Sequence, residues 1–245
     1  MGRSISGIHS RAGALDFVRD KIGKCANDQH KMKILALELS TARGSLAWLN
    51  TCESAYVSQI ENVDLVVREW PNDRKNSSAF FENLAQVREQ FGLPDTIIVG
   101  LGPGSYAGTR IAISAAVGLQ AASKARLLGL PSVCALENAD YCVIGDARRQ
   151  SFFFARIREQ ELIEGPSLFS EDHLKNKIEL LDDSMAVFCF ESLPQFPKAV
   201  IQYPSAEVLA RLARDSDRRC KLAPLEPIYL REPHITLPKA QRIVS

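Results

Sequence analysis

Thr96-Ile-Ile-Val-Gly100-Leu-Gly-Pro-Gly-Ser105-Tyr-Ala-Gly-Thr-Arg110 is the stretch on which the reading of this chain turns. Residues 96–99 are all β-branched and three of them are apolar, which suits a buried strand. Glycines at 100, 102, 104 and 108 then break the pattern, and the alanine-rich run 109–123 has the composition of a helix. Between a strand and a helix, a glycine loop can present backbone N–H groups and the helix dipole to an anion. The loop does not fit the dinucleotide fingerprint, because Ser105 stands at the third glycine position of a register begun at Gly100. It does not fit the P-loop either, because no Gly-Lys-Ser/Thr closes it. Two readings stay open: a phosphate site formed by Gly102, Gly104 and Ser105 with Ser40 and Thr41, and a tight turn whose glycines serve backbone geometry alone.

Outward from this stretch, strands and helices alternate. Upstream, the apolar run 34–39 reads as a buried strand, Ser40-Thr41 to Gly44 as a turn and 45–49 as the hairpin partner; a third strand, 63–70, stops at Pro71. Residues 76–91 carry Phe80, Phe81, Leu84, Val87 and Phe91 at helical spacing, ended by Gly92 and Pro94. Downstream, 127–130 is a strand, and 141–145 with 151–157 forms a hairpin around Asp146-Ala-Arg-Arg149. Then come a helix at 171–181, strands at 185–190 and 199–202, a helix at 205–214 and an extended tail rich in proline. The second half repeats the element order of the first. The expectation is an α/β fold built by duplication, with two mixed-sheet subdomains at 32–135 and 136–245. Residues 1–31 read as a leader, flexible or foreign to the folded unit, with a helix candidate around 14–22.

Composition narrows the function. Of 245 residues, 46% are hydrophobic and 24% charged, the balance of a globular protein of one or two domains. Thirty basic against 29 acidic residues give a net charge of +1, without the footprint of a dedicated nucleic-acid binder, so any tRNA contact is expected through a partner. Six cysteines form no CxxC pair, and four histidines form no HxxxH or HExxH pair. No metal site is therefore expected, and no nucleophile–base constellation can be proposed from spacing. Scattered thiols suit a reducing compartment, no apolar run reaches the roughly 18 residues of a membrane span, and no signal peptide is evident, so the expected location is the cytoplasm. On the glycine-loop helix, Ser114, Gly118 and Ala122 recur at four-residue spacing. Small residues there fit packing against the protein's own sheet or the docking of a partner helix.

Five segments together resemble one family, the bacterial TsaB (YeaZ) proteins: Ile34-Leu-Ala-Leu-Glu-Leu-Ser-Thr41, Gly102-Pro-Gly-Ser-Tyr-Ala-Gly-Thr-Arg-Ile111, Asp146-Ala-Arg148, Tyr203-Pro-Ser-Ala206 and Pro227-Ile-Tyr-Leu-Arg231. They occur in the family's order over residues 32–233. The resemblance implies the duplicated actin/Hsp70/sugar-kinase-like fold. It also implies a non-catalytic subunit that pairs with a TsaD-like protein and, with a TsaE-like ATPase, supports threonylcarbamoyl transfer to the adenosine beside the anticodon of tRNA, with ATP and metal held by the TsaD partner. The family docks through the helices at 76–91 and 109–123, which points to Asn76, Phe80, Leu84, Arg110, Ser114, Gly118 and Ala122 as partner contacts, and to a homodimer when the chain is alone. The sequence departs from the family at Glu38, where Asp is usual, at Tyr106-Ala107 for Phe-Thr, and at Lys75-Asn76-Ser77-Ser78 for Arg-His-Ser-Glu. The rival reading is a small kinase or ATPase of the same fold, acting alone through Ser40, Thr41 and the glycine loop.

Overall fold

The computed structural model describes residues 31–52, 64–72, 77–214 and 220–231. Residues 1–30 of the leader, with its helix candidate, and Asn76 lie outside them; Lys31 opens the first strand. Among the described residues, eleven strands make two sheets, accompanied by four α-helices. In chain order the elements of the first half are β1 (Lys31–Glu38), β2 (Arg43–Cys52), β3 (Asp64–Pro71), α1 (Ser78–Phe91), β4 (Thr96–Gly100), α2 (Tyr106–Ser123) and β5 (Arg126–Leu130). The second half holds β6 (Asp140–Asp146), β7 (Ser151–Arg158), β8 (Glu161–Ser170), α3 (Glu171–Glu179), β9 (Ala186–Cys189), β10 (Val200–Ile201), α4 (Ala206–Arg214) and β11 (Lys221–Leu222).

Duplication is explicit in the topology. The first sheet runs β11-β5-β4-β1-β2-β3 and the second β10-β9-β6-β7-β8. In each, the opening strand is antiparallel to its hairpin partner and parallel to the strand that follows the first helix. The α/β fold expected from the sequence, of the actin/Hsp70/sugar-kinase type, is the one observed. The echo does not partition the core, however: α4 and β11, both from the second half, pack on the first sheet.

The central strand β1 is buried on both faces, and this is why it reads as an unbroken apolar run. Leu35, Leu37 and Leu39 face α1 and α2 together with Trp48, Ile97 and Val99. Ile34 and Ala36 face the other way, into a cluster with Leu209 of α4 that continues to Tyr141, Val143, Phe153 and Phe188 of the second sheet. On the far side of that sheet, Cys142, Ile144, Phe154 and Cys189 pack against Leu174 and Ile178 of α3. The layers are thus α1 and α2, first sheet, a central core holding α4, second sheet, and α3. No helix of the described residues is long and apolar enough to cross a membrane.

Three details differ from the sequence reading. Helix α2 begins at Tyr106 and not at residue 109, because Ser105 is its N-cap and accepts a hydrogen bond from the Gly108 N–H. Strand β8 has no counterpart in the sequence reading; its side chains are mostly exposed and Gly165-Pro166 interrupts it, which an edge strand tolerates. Strand β11 is two residues long and exists only by pairing with β5. Leu209 is fully buried where α4 meets the first sheet. Leu209→Ala is expected to cost about 2–5 kcal/mol, read as a lower urea midpoint with one cooperative transition.

Candidate functional site

The two halves meet at a cleft of about 650 Å³ formed at the ends of the strands. Its first wall is the β1–β2 turn. Thr41 Oγ1 donates to the Arg43 carbonyl at 2.9 Å, and Asn72 Nδ2 donates to the carbonyls of Leu39 and Thr41 at 3.1 and 2.8 Å, so the turn is held from inside. Against it lies the glycine loop. A Cβ on Gly104 would stand 2.1 Å from the Ser40 carbonyl oxygen, and one on Gly108 would stand 2.1 Å from that of Leu39. No side chain fits either place. The Ser105 N–H donates to the Ser40 carbonyl at 2.5 Å and the Gly102 N–H to Ser132 Oγ at 2.9 Å. Gly102 itself has φ +85°, a conformation that favours glycine. Gly104 and Gly108 therefore serve close backbone approach, and two of the loop's N–H groups are engaged within the chain. Ser40, Thr41, Gly104 and Ser105 all line the cleft; Gly102 does not.

Glu38 ends β1 just before this turn. It is fully buried, does not line the cleft and accepts a hydrogen bond from the Ser40 N–H at 2.7 Å. Its other oxygen packs over the Cα of Gly100, where a Cβ would stand 1.8 Å away. Burial raises its pKa above the ordinary 4.5, and the Ser40 and Ser132 hydroxyls together with the Ser40 N–H offset this only in part.

The second wall comes from the β6–β7 turn. Arg148, Arg149 and Gln150 have φ of 66°, 53° and 58°, three consecutive non-glycine residues in the left-handed region. Asp146 holds this turn, accepting from the N–H of Arg148 at 2.7 Å and from its guanidinium at 3.0 Å. The Asp146 N–H in turn donates to Glu191 at 3.2 Å. Phe153 and Phe190 supply apolar surface. The tail crosses the mouth: the Ile228 N–H donates to the Leu101 carbonyl, the Tyr229 ring packs at a tilt against Tyr106 with centroids 5.2 Å apart, and Arg231 donates to the Arg148 carbonyl at 3.3 Å. The sequence reads this tail as an extended segment, packed back onto the body or offered as a strand to a partner; its residues up to Arg231 pack on the body, and nothing local signals that they touch both halves. Partial burial, then the neighbouring Tyr106, holds the Tyr229 hydroxyl above its ordinary pKa.

Of the expected partner contacts, the structure separates two groups. Phe80 and Leu84 are 1% and 8% exposed and face the core beside Trp70 and Val87, so they are not surface contacts. The correction has a simple cause: their helical spacing is that of α1's buried stripe. On α2, Arg110, Ser114, Gly118 and Ala122 are all exposed along one face, with Val117 beside them at 48%. A Cβ on Gly118 would meet nothing within 4 Å. Own-sheet packing, which uses Ala112 and Ala116, therefore does not explain this stripe. Arg110 also donates to the Tyr106 hydroxyl and lies over that ring at 5.1 Å.

The cleft, the paired hairpins and the repeated sheets define the class, a two-sheet α/β protein of the actin type. No protein-family model matches the chain. Among solved structures it is similar to an uncharacterized protein with similarity to peptidase YeaZ from Pseudomonas aeruginosa, at 21% identity over 82% of this chain and 100% of that one, with a TM-score of 0.56. It is also similar to YeaZ from Pseudomonas aeruginosa, at 18% identity over 74% of this chain and 91% of that one, with a TM-score of 0.54. At these identities the likeness is one of fold: the chain has the YeaZ fold. An uncharacterized protein of Mycobacterium leprae is 34% identical over 84 residues, and the chain spans 22% of its length.

The environment of Glu38 generates a pH prediction. A carboxyl with a raised pKa keeps its proton in the folded state after the unfolded chain has lost it, so stability falls as pH rises through the raised value. Glu38→Gln keeps the shape and the neutral form. Relative to the parent it should gain stability between pH 4.5 and neutrality, and urea midpoints that move in parallel would contradict this.

Proposed function

We propose that this chain is a member of the TsaB (YeaZ) family and acts as a non-catalytic subunit. It pairs with a TsaD-like protein and, with a TsaE-like ATPase, supports threonylcarbamoyl transfer to tRNA that the complex contacts. The observation that carries the reading is the outward face of α2: exposed small residues at four-residue spacing, with no other element of the described residues within 4 Å of the place where a Gly118 Cβ would stand. Such a face lets a second helix approach closely. The family motifs at Gly102–Ile111 and Pro227–Arg231 and the YeaZ fold support the same assignment.

The rival reading, a kinase or ATPase acting alone, draws on the cleft between the two hairpins. Against it stands Glu38, the acid of the first hairpin, which points into the protein and not at the cleft. The peptidase likeness of one relative is not carried over: His173 is exposed on α3 and does not line the cleft.

Light scattering after size exclusion, on this chain alone and mixed with a TsaD-like protein of the same organism, tests the proposal. A one-to-one species is expected, lost on Gly118→Arg at a melting temperature no lower than the parent's; unaltered pairing by that variant would overturn the role of α2. Gly118→Ala separates folding from pairing, since it should stabilise the isolated chain by about 0.5–1 kcal/mol through helix propensity alone. Tight binding of ATP and magnesium by the isolated chain in calorimetry would favour the rival.

A further inference from the structure

We propose that the tail residues Leu225, Pro227 and Tyr229 extend the docking face of α2, and that the dimple they form with Arg110, Ile113 and Ser114 receives a carboxylate side chain from a helix of the pairing protein. This rests on the reading of α2 as a docking face and names the chemistry its partner presents there.

The geometry comes first. Where the tail passes the N-terminal half of α2, these six residues enclose an open dimple of about 350 Å³. Arg110 and Ser114 stand one turn apart and Gly118 one turn further on, so the dimple continues the face along which a partner helix would lie. The far wall is fixed in place. Leu225 is buried in the core, the Ile228 N–H donates to the Leu101 carbonyl at 2.8 Å, and the Tyr229 ring lies 5.2 Å from that of Tyr106. Docking therefore meets a formed wall, with little further ordering to oppose it. Arg110, Ser114 and Tyr229 are all exposed. A free small molecule in so open a place would keep much of its surface in water, whereas a helix along α2 closes the dimple from above.

Charge then selects the occupant. Arg110 is the single charged residue among the 18 of α2. Its guanidinium lies over the Tyr106 ring and donates to that hydroxyl, but makes no ion pair among the described residues. Glu226, the acid of this stretch of tail, lies 4.0 Å from Lys221 and does not line the dimple. One positive charge is thus left on an otherwise neutral helix. A partner that covered it without an acid would strip its water and return no counter-charge, which is costly. A carboxylate in the dimple accepts from the guanidinium, with the Ser114 hydroxyl as a further donor. Arginine and tyrosine are also the residue types that carry much of an interface's affinity. A second copy docked α2 against α2 would bring another arginine and no acid, which disfavours that occupant.

Calorimetric titration of the full chain with a TsaD-like protein of the same organism tests this. Arg110→Gln should weaken pairing by about tenfold, Arg110→Glu by about a hundredfold and Tyr229→Ala by about tenfold. Between about 50 and 500 mM sodium chloride the parent's affinity should fall more steeply than that of Arg110→Gln. Arg110 is exposed, so its variants should melt close to the parent, which keeps the test sound even if Tyr229→Ala loosens the tail. Equal affinities of Arg110→Gln and Arg110→Glu would mean that no carboxylate faces the dimple, and an unchanged affinity of Tyr229→Ala would remove the tail from the interface; either overturns the proposal. So would self-association weakened by Arg110→Glu as much as pairing is, which assigns the dimple to a second copy. The two readings are distinguishable. Pairing lost on Gly118→Arg but untouched by the Arg110 variants overturns this one alone, whereas a parent that does not pair overturns the docking role of α2 and this proposal with it.

Discussion

The close approach of two backbones fixes this molecule. Where α2 begins, Gly104 and Gly108 press against the carbonyl oxygens of Ser40 and Leu39, nearer than any side chain permits. The Ser105 N–H completes the junction by donating to Ser40. From this point the end of β1 is set, and with it the turn that leads to β2, the direction of α2 and one wall of the cleft. The tail depends on it as well, since Ile228 bonds to Leu101 of the same loop and Tyr229 rests on Tyr106 of the same helix. A methyl group at either glycine would force apart elements that have no other way to meet.

Much of this was legible in the chain itself, for physical reasons. A strand buried on both faces is apolar throughout, and β1 and β4 were recognisable on that ground. Helix α1 showed its buried stripe at Phe80, Leu84 and Val87, a regularity at odds with the expectation, taken from the family's docking helices, that Phe80 and Leu84 are surface contacts. Spacing tells which residues share a face; it does not tell which face meets the sheet. The glycines were visible too, but whether they cradled a ligand or a neighbouring strand depended on Leu39 and Ser40, some sixty residues away, and local sequence carries no such information. Strand β8 was illegible because an exposed edge needs no periodic apolar pattern, and β11 because two residues cannot show one.

The candidate site divides along the same line. The exposed face of α2 could be found from the small residues at four-residue spacing, and the structure supplies what spacing could not, namely that no other element of the described residues lies against Gly118. The cleft was only partly foreseen. Ser40, Thr41 and Ser105 were singled out as hydroxyl-bearing turn residues, and Arg148 and Arg149 as a charged hairpin tip. Their convergence on Arg231 is a product of the tail's path, the least regular part of the described chain.

The position of α4 bears on how the molecule is made. The N–H of Ala206 donates to Ser45 Oγ in the first hairpin, across 161 residues of sequence. Beside that bond, Leu209 completes the inner face of β1 and β4. A chain emerging from the ribosome exposes Ile34, Ala36 and Ile98 until almost the whole second half has been synthesised. The first sheet, although its five main strands are the earliest synthesised, is therefore among the last parts to be sealed. Contacts of such long range slow folding, and the growing chain must shelter an apolar face for most of its synthesis.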